Sequence, residues 1–75
     1  MKIPKNISAK ELREIAGDEM NSAKMLTRDI RYFSRKGLES RAMSCRIAQR
    51  DFLICAAALI RWAKELEEKD LGQNS

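Results

Sequence analysis

The stretch FLICAAALI, residues 52–60, contains no polar side chain, although 35% of the chain is charged. A helix this apolar needs cover on several sides, and a chain of 75 residues has a size at which one core is marginal. The run is too short for a transmembrane helix, which needs about 20 apolar residues, because Arg61 interrupts it. Frequent Ala, Leu, Met, Glu, Lys and Arg favour helix elsewhere too. We therefore predict an all-α protein.

The first helix has a clear start at the sequence ISAKEL, after a flexible tail predicted over residues 1–7. Ser8 is placed as the N-cap, and Glu11 three residues later completes a capping box. Apolar residues then recur at spacings of three and four, which predicts one helix over about residues 9–36, ended by Gly37. The seam of this helix comprises Leu12, Ala16, Ala23, Leu26, Ile30 and Phe33.

The second helix is predicted over about residues 39–69, after a turn at about 37–38 and before a frayed end at 71–75. Its seam comprises Ala42, Cys45, Gln49, Phe52, Ala56, Leu59, Ala63 and Leu66. Two helices of about 40 to 45 Å, joined by so short a turn, must form an antiparallel two-helix hairpin. In that register Leu26 lies near Gln49.

The hairpin, residues 8–70, has more apolar surface than its own two helices can cover. The second helix carries an apolar arc well over 100° wide, whereas one neighbouring helix covers only a narrow seam. A second copy is the simplest closed solution, so we predict a homodimer that forms a four-helix bundle. The predicted dimer or partner interface comprises Phe52, Leu53, Ile54, Cys55, Leu59, Ile60 and Trp62. If the dimer leaves Leu53, Ile54 and Ala57 exposed, they form a contact for a protein partner instead.

Basic residues concentrate near the turn. Residues 24–50 hold eight Lys or Arg against two acids, a net +6, while the whole chain carries +4. The candidate phosphate or acidic-partner surface comprises Lys24, Arg28, Arg31, Arg35, Arg46 and Arg50. One interpretation is that this stripe tracks phosphates, with Tyr32 stacking on a base. The other is a solvated face that keeps the dimer soluble.

The two cysteines, Cys45 and Cys55, lie ten residues apart in one predicted helix. A separation of about 15 Å is too long for a disulfide within the chain. Because the chain has no histidine, a zinc site would lack its usual ligands, and we expect no metal or cofactor. We interpret both thiols as small buried apolar side chains in a reducing compartment, and leave open an intersubunit disulfide or a reactive thiol.

The sequence contains no pattern typical of an enzyme. It has no histidine, no glycine-rich phosphate loop and no nucleophile elbow, and a thin hairpin offers little concave volume for a small-molecule substrate. No apolar leader segment follows MKIPKN. We therefore expect a non-enzymatic cytoplasmic protein that does not act at a membrane.

Two functions remain open. One is a small homodimeric regulator or adaptor of bacterial or phage type that binds protein, and the alternative is a regulator that binds RNA or DNA through the basic turn end. The predicted shape resembles that of dimeric RNA-binding regulators and of small helical chaperones or adaptors, which is a likeness of fold alone. A helix-turn-helix centred on Gly17 is disfavoured because Arg13 and Asp18 do not suit its turn and no third helix is present.

Overall fold

The chain forms two long antiparallel α-helices in a computed structural model that describes residues 7–73, with side chains described to residue 69. Helix α1 spans Ala9–Arg35 and helix α2 spans Glu39–Gln73. No strand occurs within these residues. The prediction of an all-α helical hairpin is confirmed.

The start of α1 follows from its capping residue. Ser8 has extended backbone angles, φ −90° and ψ 160°, and its hydroxyl oxygen accepts a hydrogen bond from the Glu11 N–H at 3.1 Å. This contact satisfies one of the N–H groups that a helix start leaves without an intrahelical partner. The predicted N-cap is therefore confirmed.

The turn between the helices depends on Gly37, which has a positive φ of 74°. The Gly37 N–H donates to the Ser34 carbonyl at 3.2 Å, and the Leu38 N–H donates to the Phe33 carbonyl at 2.9 Å. These two bonds form a Schellman motif, in which a residue with left-handed backbone ends the helix and glycine carries no Cβ penalty. The chain reverses within three residues, Lys36 to Leu38, and this forces α2 to run back along α1.

Two helix ends differ from the predictions. Helix α1 ends at Arg35, one residue before the predicted end, whereas α2 continues to Gln73, four residues beyond the predicted end near residue 69. No proline follows residue 69 to interrupt the helix. Residues 1–6, which make up most of the predicted tail, lie outside the described residues, as do residues 74 and 75 of the predicted frayed end.

The first helix also runs unbroken through Gly17, where the disfavoured helix-turn-helix would have placed its turn. No atom outside the local backbone lies within 4 Å of the position that a Cβ would take at Gly17. This glycine is therefore an ordinary helical residue, and the described residues contain no turn at that position.

The core lies along the predicted seam and is built almost entirely from alanine. The buried hydrophobic residues are Leu12, Ala16, Ala23, Ala42, Ala56 and Ala63. Leu12 is the one large side chain among them. In the antiparallel register, Ala16 lies opposite Leu59, and Ala23 lies opposite Phe52. Because the alanines occupy little space, their larger partners remain only half-buried.

Candidate interaction surfaces

The first cross-helix contact is the ion pair between Arg13 of α1 and Glu67 of α2. Arg13 Nη2 lies 2.7 Å from Glu67 Oε1, and Arg13 Nε donates to Glu67 Oε2 at 3.3 Å. This hydrogen bond from Arg13 is the main reason that the pKa of Glu67 is lowered, and the carboxylate in turn raises the pKa of Arg13. Both side chains are more than two-fifths exposed, so the pair sets the helix register more than it stabilises the fold.

The second contact lies near the middle of the hairpin and is made by Gln49, a polar residue in the apolar seam. Its amide nitrogen donates to the Ala23 carbonyl at 2.8 Å and to the Thr27 hydroxyl at 2.7 Å. Because Leu26 lies between these two partners along α1, the bonds agree with the predicted register of Leu26 near Gln49. A third contact follows toward the turn, where Arg46 Nη2 donates to Ser34 Oγ at 3.5 Å.

All three contacts lie on one long side of the hairpin. Arg13, Thr27 and Ser34 are spaced seven or fourteen residues apart, so they share one edge of α1, and Arg46 and Glu67 share the matching edge of α2. We call this the hydrogen-bonded side. Helical phase places three apolar residues, Met20, Leu53 and Ile60, on the same side. Among the described residues, every side-chain hydrogen bond between the helices falls here.

The opposite long side carries apolar residues that the chain itself covers only in part. We call it the apolar side, and helical phase assigns to it Ile15, Leu26, Phe33, Phe52, Cys55, Leu59 and Trp62. All of these side chains are half-buried or exposed. Near the turn, the Arg41 guanidinium lies 6.0 Å from the centre of the Phe33 ring. An open depression of about 290 Å³ runs beside this pair, with Ser44 and Cys45 in its lining.

The residues predicted to form one interface are divided by the structure. Phe52, Cys55, Leu59 and Trp62 belong to the apolar side by helical phase, Leu53 and Ile60 belong to the hydrogen-bonded side, and Ile54 points away from α1. Leu53 is 49% exposed and Ile54 is 54% exposed. One flat partner surface therefore cannot cover the whole predicted set.

The apolar side also includes residues of α1 that the sequence analysis did not assign to an interface. Ile15 is 39% exposed, and Phe33 is half-buried beside the turn. In the single chain Cys55 is exposed and Cys45 is half-buried, so burial of both thiols stays a prediction that depends on the dimer. These differences have one cause, since the alanine seam is too shallow to enclose the residues beside it.

The six predicted basic residues come together from both helices. Lys24, Arg28, Arg31, Arg35, Arg46 and Arg50 are all exposed, and we call them the basic face. The contact between Arg46 and Ser34 places the α2 members on the same side as Lys24 and Arg31 of α1. Within the described residues, none of the six forms an ion pair. Their charges are therefore available to a ligand.

Tyr32 does not lie among the basic residues of α2. It is 54% exposed, and its ring packs edge-on against Phe33, with ring centres 5.6 Å apart. The Lys36 ammonium lies 5.7 Å from the centre of the Tyr32 ring. Stacking of Tyr32 on a base stays a prediction.

The described part of the chain contains no cluster of three or more His, Cys, Asp or Glu side chains that could hold a metal ion. Over the same residues, neither helix has an apolar stretch long enough to cross a bilayer. Comparison with protein-family models, curated proteins and solved structures finds no match to this chain. The apolar side and the basic face are therefore the candidate functional surfaces of the chain.

Proposed function

We propose that the chain is a non-enzymatic, homodimeric helical-hairpin interaction module of the small regulator or adaptor class. Two copies pair through their apolar sides and form a four-helix bundle. The observation that carries this proposal is the contrast between the core and the apolar side. Leu12 is the one large side chain fully buried in the described protomer, whereas Phe33, Phe52 and Leu59 are only half-buried along one side.

The size of the exposed surface supports pairing. The chain exposes 6299 Å², about a third more than the roughly 4,700 Å² of a compact monomer of 8.6 kDa. Its radius of gyration is 16.6 Å, against about 11 Å for a compact domain of this length. A standard protein interface buries about 800 Å² on each partner. The excess surface is large enough to supply such an interface.

The chemistry of the two sides supports pairing through the apolar one. Burial of apolar area stabilises association by about 25 cal/mol per Å², and the half-buried rings and leucines supply that area. The hydrogen-bonded side is a poorer interface, because covering it would desolvate the exposed Arg13 and Glu67. The apolar side carries no cross-helix hydrogen bond among the described residues, and the charged group beside its rings is the Arg41 guanidinium next to Phe33.

This arrangement leaves a second apolar surface free for a protein partner. Leu53, Ile54 and Ala57 are exposed on α2 and lie away from the proposed dimer contact. Arg50 and Arg61 flank them, which gives the apolar centre and polar rim that protein contacts commonly have. The module would thus pair through one side and bind its partner through another.

Substitution of two nearby residues tests the proposed interface. Both Cys55→Arg and Leu53→Arg place a cation at an exposed α2 position, but Cys55 faces the apolar side and Leu53 the hydrogen-bonded side. Sedimentation equilibrium at micromolar concentration should give a dimer for the unchanged chain and for Leu53→Arg. Cys55→Arg should weaken self-association at least tenfold, because the cation would be desolvated in the interface.

The single tryptophan gives an independent readout of the same contact. Trp62 is half-buried in the protomer, so its emission should shift to shorter wavelength as concentration rises and the second copy covers it. An ordered monomer across this concentration range would contradict the homodimer. A dimer weakened by Leu53→Arg and unaffected by Cys55→Arg would show that the wrong side had been chosen.

A further inference from the structure

We infer that the basic face binds the phosphodiester backbone of a nucleic acid, without regard to base sequence. The face combines residues from both helices, with Arg46 on the hydrogen-bonded side and Arg28 and Arg35 on the outer edge of α1, and all six are exposed. None is neutralised by an ion pair within the described residues. A surface that concentrates unpaired cations in this way attracts a polyanion, and binding gains free energy from the release of condensed counterions.

The balance of charge on this face is strongly positive. Helical phase places Glu39 with the six basic residues, and Asp29 lines an open depression together with Lys24 and Arg28, which leaves a net +4. Asp51 falls toward the outer surface instead. The remaining acids lie outside residues 24–50, away from the turn. The basic face is therefore a local feature and does not simply reflect the overall charge of the chain.

The spacing of the cations matches a phosphate backbone. Lys24, Arg28, Arg31 and Arg35 follow one stripe that extends about 16 Å along α1, a length over which one nucleic-acid strand presents about five phosphates. Five of the six basic residues are arginines, whose planar guanidinium can donate two parallel hydrogen bonds to phosphate oxygens. Arg46 and Arg50 on α2 add a second row beside the stripe.

The width of the hairpin indicates contact with the backbone and not with base edges. The molecule measures 58 × 20 × 13 Å, and the major groove of B-DNA is about 12 Å wide, which admits a single helix. Residues from both helices can therefore reach a duplex together only from outside the groove. Contacts of this kind position a protein on nucleic acid but do not read sequence.

This binding is distinct from the proposed dimer contact. The basic face borders the hydrogen-bonded side and the outer edge of α1, so pairing through the apolar sides would leave it uncovered on both copies. A dimer would then carry two basic faces on opposite surfaces. The two proposals can fail separately, because Cys55→Arg is expected to change self-association and to leave binding per protomer unchanged.

Fluorescence anisotropy with labelled 20-nucleotide RNA and a 20-base-pair DNA duplex, over a salt series, tests the inference. If all six cations contact phosphates, the logarithm of the binding constant should fall against log salt with a slope of about −5 for the duplex and about −4 for the single strand. An unrelated sequence should compete equally. Either probe bound with its expected slope supports the inference, and the tighter one identifies the preferred nucleic acid.

A charge-matched pair of variants locates the contact. The triple variant Arg28→Gln, Arg31→Gln and Arg50→Gln removes three charges from the basic face. It should lower the steepness of the salt slope by about 2 to 3 and weaken binding at least tenfold. The control Lys10→Gln, Arg61→Gln and Lys64→Gln removes three charges from the other half of the hairpin and should change binding less than threefold. Circular dichroism verifies that both variants keep their helices.

Three results would overturn the inference. The first is failure to bind either probe at low salt, and the second is an equal loss in both triple variants, which would indicate attraction by net charge alone. The third is tight binding of a polyglutamate peptide with no retention of either nucleic acid, since an acidic protein would then be the better ligand.

Discussion

The two long sides of the hairpin differ in what lies between the helices. On the hydrogen-bonded side, Arg13 meets Glu67, and Gln49 meets Thr27, so polar groups from the two helices satisfy one another within the protomer. On the apolar side, aromatic and leucine side chains flank the seam, and no hydrogen bond joins the two helices there among the described residues. One side is bridged by polar contacts within the chain, and the other is the side through which we propose that a second copy binds.

The origin of this difference is the placing of small and large residues in the seam of α2. Ala42, Ala56 and Ala63 occupy the row that leans toward the hydrogen-bonded side, and Phe52 and Leu59 occupy the row that leans toward the apolar side. Alanine allows the helices to approach closely, so the polar side chains on that edge can reach across. The larger residues extend past the edge on the other side and remain only half-buried. The unequal side-chain volumes along the seam thus produce the hydrogen-bonded side on one edge and the apolar side on the other.

Truncation of one residue on each side gives the most sensitive test of the difference between the two sides. Phe52→Ala should lower the free energy of unfolding by about 3 to 5 kcal/mol per protomer, because the proposed dimer would bury the ring. Leu53→Ala, at the neighbouring position, should cost less than about 1 kcal/mol because that side chain stays exposed. Urea denaturation at a fixed protein concentration measures both losses. Equal losses would remove the distinction between the two sides.

A smaller effect is expected from Gln49. Gln49→Ala removes both of its cross-helix hydrogen bonds and should destabilise the fold by about 1 to 2 kcal/mol, whereas Thr27→Val removes one and should cost about half as much. Since both contacts lie within the protomer, each loss should be the same at low and at high protein concentration. A loss that grows on concentration would place Gln49 in the dimer interface and contradict the comparison.

The smallest expected effect concerns Glu67 and is visible through pH. Because Arg13 lowers the pKa of Glu67 in the folded chain, the pair stabilises the fold above the ordinary pKa of a glutamate. That contribution is lost as the pH falls through the lowered folded value. Glu67→Gln should therefore reduce the melting temperature slightly at pH 7 and not at all at strongly acidic pH. In about 1 M salt the difference should shrink. The control Glu14→Gln, at an exposed position without an ion pair, should show no such pH dependence.

Local sequence chemistry predicted much of the fold. The N-cap at Ser8, the turn at Gly37 and the helical seam follow from capping preferences and from periodicity, which depend on residues a few positions apart. Helix α2 continues to Gln73, beyond the predicted end near residue 69, in a segment without proline. Periodicity places Gln49 in the seam, but its partner Thr27 lies on the other helix and is an exposed residue outside the seam.

The candidate interface was less predictable than the fold. Periodicity identified a wide apolar arc on α2. The predicted interface nevertheless grouped Leu53 with Phe52, which lie on different sides of the hairpin, and left out Ile15 and Phe33 of α1, which lie on the same side as Phe52. The sequence contains a signal that could have located this side. Alanine alternates with large residues along the seam, and this pattern indicates the edge from which apolar side chains extend. The basic face was easier to find, because a charge stripe along one helix is visible in the spacing of its residues.

The sequence by itself determined the two helices, the seam between them, the glycine turn and the concentration of positive charge near it, since each depends on interactions within one or two helical turns. Only the tertiary structure decided which flanking residues share a side. That assignment requires the pairing of residues far apart in the chain, such as Arg13 with Glu67, 54 positions away. The physical reason is that helical periodicity sets the angle of a residue around its own axis, whereas its neighbours across the seam depend on how the second helix packs against the first.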